Sequence, residues 1–318
     1  MTDISNSSSR MTGSKRQVLA VELIGAPSSA GAFSRGQENA PAALRSAGIV
    51  EQLVKAGVAV TDAGDLPLQP WRPDRASPRA QNVDLVLANA TGVRDRVANA
   101  LRAGRRVLVL GGDCTTGLGT LAGAAVASHT EPSWLYFDLH ADLNTTMSVP
   151  DGALDWTGMA HALGLADTIA SLCAIGGVVP LIAPQRVILF SHDLGEATVW
   201  ERQQIELLSL RRISHEEVHS DPTGMAVSAL GQLKAQRPIV LHFDIDAINF
   251  TDAPLSEHTG RGSGIPLKAA LTALRELMAD DRVCAVTVTE LNPQHAAADP
   301  AMLSIFVSGL VSAMAATR

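Results

Sequence analysis

Five acidic or imidazole side chains follow two apolar runs of this chain at spacings that could build a metal site. WLYF leads into Asp138, His140 and Asp142, and IVLHF leads into Asp244 and Asp246. Alternate residues of an extended segment share a face, so the first three can converge on one point. A neighbouring strand can bring Asp244 and Asp246 to the same place. That much negative charge at the ends of apolar strands is strongly destabilising unless a cation or protons neutralise it. A divalent metal is the simplest answer, and carboxylates with one imidazole favour hard or borderline ions such as Mn²⁺. Taken singly, D-x-H-x-D reads as a solvated turn and D-x-D as a capping pair. Their joint occurrence favours the metal reading, with Gly111-Gly112-Asp113-Cys114 closing a third apolar run and Glu290 a fourth.

Such residues need rigid elements beneath them. Apolar, β-rich runs predict strands at 18–25, 58–65, 106–110, 134–139, 186–191, 212–215, 239–244 and 284–289. Several are continuous (VLVL, AVTV) rather than alternating, as expected of strands covered on both faces. Helical patterns lie between them at 41–57, 82–103, 117–127, 222–236, 266–278 and 300–316. This alternation predicts an α/β fold, a mostly parallel sheet between helix layers, with ligands at the carboxyl ends of its strands. No linker, charge block or repeat divides the chain. One domain over 17–318 is expected, after a polar, Ser-rich tail at 1–16 that lacks the apolar core of a signal peptide.

Composition narrows the function classes. With 46% hydrophobic and 18% charged residues among 318, a sizeable core is available and wholesale disorder is excluded. Aromatics are only 3%, which suits an α/β protein better than an aromatic-rich sandwich. The 25 basic residues against 32 acidic ones give −7, and no Lys/Arg run stands out, so nucleic acid and membrane are not expected as partners. Three cysteines cannot form a disulfide framework and point to a reducing compartment, hence a cytoplasmic protein. GGDCTTGLG has neither the G-x-G-x-x-G nor the GxxxxGK[ST] spacing of a nucleotide loop, and no G-x-S-x-G elbow occurs.

The order of these segments resembles the ureohydrolase (arginase/agmatinase) family over nearly the whole chain. GAPSSAGAFSRGQENAPAALRSAGI resembles its opening strand, loop and helix. GGDCTTGLG resembles G-G-D-H-S, DLHADLNT resembles D-A-H-x-D-x-N-T, HFDIDAIN resembles S-x-D-x-D-x-x-D, and VTELNP resembles E-x-N-P. The resemblance implies a three-layer α/β/α fold on an eight-stranded, mainly parallel sheet. It also implies two Mn²⁺ ions with a bridging hydroxide that attacks a guanidinium or amidinium carbon. Asp138 and Asp244 would bridge, His140 and Asp246 would complete one position, and Asp142 would serve the other. The remaining ligand of that second position is a histidine in the family and Cys114 here. A thiolate there would move the preference toward Zn²⁺, Fe²⁺ or Ni²⁺, and the alternative is a small buried thiol filling the space.

Other departures bear on substrate. Glu290 matches the glutamate that pairs with the guanidinium. The family's H-G-x-P histidine is replaced within Asp155-Trp156-Thr157, leaving Asp155 or His161 as acid/base candidates beside Asp142 and Glu290. Asn144 matches an amino-acid-binding asparagine, but Asp151-Gly152-Ala153 replaces the Ser-Gly-Asn that follows, and the D-V-D grip is shortened to 192–196. Asp151 would repel an α-carboxylate, so L-arginine is disfavoured against a small guanidino or amidino compound. His192, at the end of the fifth strand, is a further substrate-contact candidate. His258 falls in a rim loop, and His242 reads either as support for Asp244 or as a core histidine. Two function classes follow: a metal-dependent C–N hydrolase, or a non-catalytic family protein serving as a binding scaffold. Family members are commonly trimers or hexamers.

Overall fold

The computed structural model describes residues 19–128, 131–235, 238–260 and 262–317. The expected tail at 1–16 lies outside them. Eight strands form one sheet: β1 (Ala20–Gly25), β2 (Ala59–Asp65), β3 (Arg106–Leu110), β4 (Ser133–Phe137), β5 (Val187–His192), β6 (Arg211–Ser214), β7 (Ile239–Asp244) and β8 (Val283–Thr289). The order across the sheet is β2-β1-β3-β8-β7-β4-β5-β6, and every neighbouring pair is parallel. The sequence expectation of a mainly parallel sheet is therefore met in full. Each strand sits within two residues of its predicted place.

The helices are α1 (Ala40–Ser46), α2 (Ile49–Lys55), α3 (Val83–Arg102), α4 (Thr115–Ala127), α5 (Gly158–Ala162), α6 (Ala170–Cys173), α7 (Val199–Leu207), α8 (His215–Ser220), α9 (Pro222–Gln232), α10 (Leu267–Met278) and α11 (Pro300–Met314). Alternation along the strands assigns them to two layers. Leu135 and Phe137 of β4 and Leu241 and Phe243 of β7 pack with α1, α2 and α8 to α11. Trp134 and Tyr136, one residue out of phase, pack with α3 to α7. Val107, Val109 and Ile24 continue that second face toward α3. Residues on both faces of a strand are buried, which explains the unbroken apolar runs.

Three sequence expectations need correction. The helix expected over 41–57 is two helices, because Gly48 adopts a left-handed φ of 82° at the start of α2. The helix expected to reach Gln236 stops at Gln232, and residue 236 lies outside the described set. Finally α5 to α8 were not anticipated. For α7 and α8 the signal was present: Thr198 with Glu201, and Ser214 with Glu217, form reciprocal capping boxes. Among the described residues, no helix is long and apolar enough to cross a membrane.

Candidate metal centre and its cavity

Strands β3, β8, β7 and β4 are consecutive in the sheet, so their carboxyl ends lie side by side. Register brings them level: Phe137 pairs with Phe243, and Asp244 with Thr289. Asp138 thus begins one turn next to Asp244, and Glu290 follows Thr289 on the other flank. The extended-chain reading of these segments is wrong in detail. β4 ends at Phe137, and the Asp138 carboxylate accepts the His140 amide at 2.6 Å. Asp244 accepts the Asp246 amide at 2.7 Å in the same way. Two matching Asx turns, rather than pleated strand, fold His140 and Asp246 back toward each other.

The result is a pair of donor groups that share Asp138. One is Asp138, His140 and Asp246; the other is Cys114, Asp138, His242 and Asp244; in each, the donor atoms lie within 4.8 Å of one another. Asp142 stands outside both, its carboxylate taken by the buried Tyr136 hydroxyl. Its backbone is left-handed, with φ of 50°, and Glu290 is likewise at 59°. Non-glycine residues held there carry local strain, which concentrates at functional sites.

Electrostatics fit a cation. Burial first, then repulsion from Asp244 and Asp246, pushes the Asp138 carboxyl well above the usual range. Burial and Asp246 do the same to Asp244. Asp138 Oδ2 and Asp246 Oδ1 are buried without a hydrogen-bond partner. Burial disfavours the His140 imidazolium, but Asp246 at 2.9 Å, with Asp142 and Asp244, raises its pKa to about 10. Burial, then Asp244, pushes the Cys114 thiol well up, and Sγ lies 2.6 Å from Asp244 Oδ2. Protons therefore neutralise the cluster when nothing else does. A divalent ion would replace them and satisfy both orphaned oxygens.

Gly111-Gly112-Asp113 locks the first loop onto this end of the sheet. A Cβ on Gly112 would fall 1.8 Å from the Ser28 carbonyl oxygen, so only glycine permits the approach. Buried Asp113 accepts from Ser28 Oγ at 3.0 Å and the Gly31 amide at 3.1 Å. Glu290 accepts the Cys114 amide at 2.9 Å, at the start of α4, and Gln37 Nε2 at 3.0 Å. Above the centre opens a cavity of about 300 Å³. Nine of its sixteen lining residues are Asp or Glu, and none is Lys or Arg.

The Arginase family profile matches residues 19–314. The chain belongs to this family. It is 30% identical to mitochondrial arginase-2 of Oryctolagus cuniculus, over 96% of this chain and 87% of that one. Against the arginase of Bacillus caldovelox it is 29% identical, covering 86% and 91%. The crystal structure of arginase from Bacillus subtilis superposes with a TM-score of 0.81 at 26% identity, covering 93% of this chain and 98% of that one.

Within this Arginase-family frame the remaining sequence candidates separate. Asn144, Asp151 and Asp155 line the cavity, as do Asp142 and Glu290. His161 does not: it is buried, with Nδ1 2.7 Å from the Thr157 carbonyl and Nε2 accepting the Ile169 amide at 3.0 Å. Both nitrogens are spent on the fold, and burial lowers its pKa to about 4, so the structure does not bring it to the site. His192 is the last residue of β5, at the strand end where it was expected, paired with Ser214, but it is fully buried and absent from the cavity lining. Phe33, Glu196, Glu201, Glu257 and His258 reach the cavity instead. His258 stands edge-on to His140, ring centroids 5.3 Å apart. Glu201 was legible through its capping box; Glu257 and Phe33 carried no sequence signal.

Proposed function

We propose that this Arginase-family protein is a metal-dependent hydrolase that cleaves a C–N bond of a guanidino or amidino compound other than L-arginine. The observation that carries the reading is the cavity: a ring of carboxylates without a single Lys or Arg among its lining residues. Such a wall attracts a planar cation and repels a carboxylate. Asp138, His140, Asp244 and Asp246, with Asp142 and Cys114 beside them, are the residues that would hold two divalent ions, Mn²⁺ by resemblance or Zn²⁺, Fe²⁺ or Ni²⁺ because of the cysteine. Bound there, the ions would supply activated water near neutral pH.

This chain's own side chains do the rest. Glu290, held by Gln37 and the Cys114 amide, presents its carboxylate to the substrate's nitrogens. Asp155 faces the same space where the family histidine is missing. Burial, then Asp113 and Asp142, raises its pKa well above the usual range, so its carboxyl holds a proton for the departing nitrogen. Asp151, Asn144 and Glu196 line the wall where a substrate's second cationic end would lie. A trimeric or hexameric assembly and a cytoplasmic location belong to the same proposal. The competing reading, a binding protein without turnover, draws on Asp142 being occupied by Tyr136.

The test is release of urea or ammonia from a panel of agmatine, small guanidines, formamidines and L-arginine, with protein loaded in turn with Mn²⁺, Zn²⁺, Fe²⁺ and Ni²⁺. A carboxylate-free cation should exceed L-arginine in kcat/KM by at least about tenfold, one misplaced charge in the pocket. No release from any member with any ion would overturn the catalytic reading.

A further inference from the structure

His242 lies in the middle of an apolar strand, yet its Nδ1 is buried without a hydrogen-bond partner and its Nε2 meets only side chains at the carboxyl end of the sheet. Its ring stacks flat on Tyr136, centroids 4.1 Å apart and planes within 2°, with Trp134 edge-on behind. Gly117 of α4 lies against the Nδ1 edge of the ring, where a Cβ would lie 2.3 Å from Nδ1. Tyr136 on one face and Gly117 at the Nδ1 edge form a slot that fixes the ring's plane and its direction. The slot aims Nε2 at the second donor group. Nε2 lies 3.5 Å from Cys114 Sγ, 3.6 Å from Asp138 Oδ2 and 3.3 Å from Thr289 Oγ1.

The Nε2–Sγ and Nε2–Oδ2 spacings are close to the edges of a tetrahedron, whereas Cys114 Sγ and Asp244 Oδ2, now 2.6 Å apart, would have to part as an ion enters. Metal–sulfur and metal–nitrogen bonds of about 2.3 and 2.05 Å set at the tetrahedral angle place S and N about 3.6 Å apart. Asp138 Oδ2, on the same group, is buried and has no hydrogen-bond partner. His242 itself is fully buried, so its ring cannot be turned toward water. Asp142, by contrast, has its carboxylate drawn off by Tyr136, the same residue that forms the floor of the histidine slot.

We propose that His242 is a metal ligand, and that Cys114, Asp138, His242 and Asp244 hold one ion of the pair in a mixed sulfur, nitrogen and oxygen shell selective for Zn²⁺, Fe²⁺ or Co²⁺ over Mn²⁺. This rests on the two-ion reading of the centre and replaces Asp142 by His242 within it. The imidazole that Cys114 displaces from the helix start is returned to the same spot from β7. A thiolate and an imidazole on one ion are soft and borderline donors, which disfavours Mn²⁺. The other ion, on Asp138, His140 and Asp246, keeps a shell of carboxylates and one imidazole.

X-ray absorption at the zinc edge of the wild-type protein, loaded with two equivalents of Zn²⁺, reads the donors directly. We expect one sulfur scatterer at about 2.3 Å shared between the two ions, and on average one imidazole per ion. A Co²⁺-loaded sample should show a near-ultraviolet thiolate charge-transfer band that disappears in Cys114→Ser. His242→Phe, whose ring fits the same slot, should weaken the second equivalent of Zn²⁺ by at least about tenfold and leave the first unchanged. A sulfur-free zinc spectrum, or second-ion affinity unchanged in His242→Phe, would overturn the assignment. If His242→Phe does not fold, the wild-type spectrum decides alone. None of these readouts uses turnover: an inert protein with the sulfur signal refutes only the hydrolase reading, and an active one without it refutes only this ligand set.

Discussion

The two halves of the centre are built on opposite plans. Asp138, His140 and Asp246 come from loop residues just past the strands, with His140 about a quarter exposed to the cavity. Cys114 and His242 come from a helix start and a strand interior; both are buried, Cys114 at the cavity lining and His242 behind it. His140 can exchange water and meet substrate; the His242 ring, packed against Tyr136 and Gly117, cannot. The difference teaches that the half carrying His242 adds a thiol and an imidazole to its two carboxylates, donors whose neutral forms are less costly to bury than further carboxylates.

The largest effect should come from the residue the halves share. Asp138→Asn is expected to reduce uptake of both ions by more than about 100-fold, beyond what loss of an outer partner does. It should also raise the thermal stability of metal-free protein, because Asp138 Oδ2 is buried unpartnered among like charges. Calorimetry with and without Zn²⁺ checks both; loss of only one ion would mean that the halves do not share Asp138.

Acid sensitivity separates the centre from its surroundings. His161 lies outside both halves, and burial lowers its pKa to about 4 from 6.5. A depressed histidine contributes stability that is intact above 6.5 and is lost as pH falls toward about 4, on the order of 3 kcal/mol in full. Unfolding of metal-free protein from pH 7 to 4 should show this loss, and His161→Gln should reduce the acid limb by that share, leaving the shares of His192 and His242, whose pKa values burial lowers to about 3. An unchanged acid limb in His161→Gln would assign the sensitivity to those two histidines.

Gly117→Ala gives the smallest change and the sharpest one. The new Cβ collides with His242 Nδ1 but reaches no residue of the open half. Overpacking there should cost about 1–3 kcal/mol in denaturant unfolding and disturb the Co²⁺ thiolate band alone. Equal damage to both ions would show the halves to be one unit.

Most of the fold was legible because strands buried on both faces write themselves as unbroken runs, and each run ended at its chemistry. Asp138, His140, Asp244, Asp246, Glu290 and Cys114 stood out because ionisable groups at the ends of such runs have no packing explanation. His242 did not, since a histidine inside VLHF reads as core; only Tyr136 on β4 and Gly117 on α4 show which way it points. The turns at Asp138 and Asp244 were equally hidden, because the hydrogen bonds that bend them join a side chain to its own neighbouring backbone. His161 misled for the converse reason: position within a helix says nothing about whether its ring nitrogens are already engaged. His192 ends its strand as expected but is buried away from the cavity, both ring nitrogens without a hydrogen-bond partner.

One feature of the topology bears on how the molecule comes into being. β8 is the last strand made, yet it sits between β3 and β7 and joins two three- and four-stranded halves into one sheet. Glu290 at its tip reaches back 176 residues to the Cys114 amide. During synthesis β4 and β7 can pair and align Asp138, His140, His242, Asp244 and Asp246, while Cys114 stays on the separate β3 side. The centre closes in a late event, when the final strand slides in, and a chain that stops short of β8 is left as two unjoined sheets with Cys114 apart from its partners.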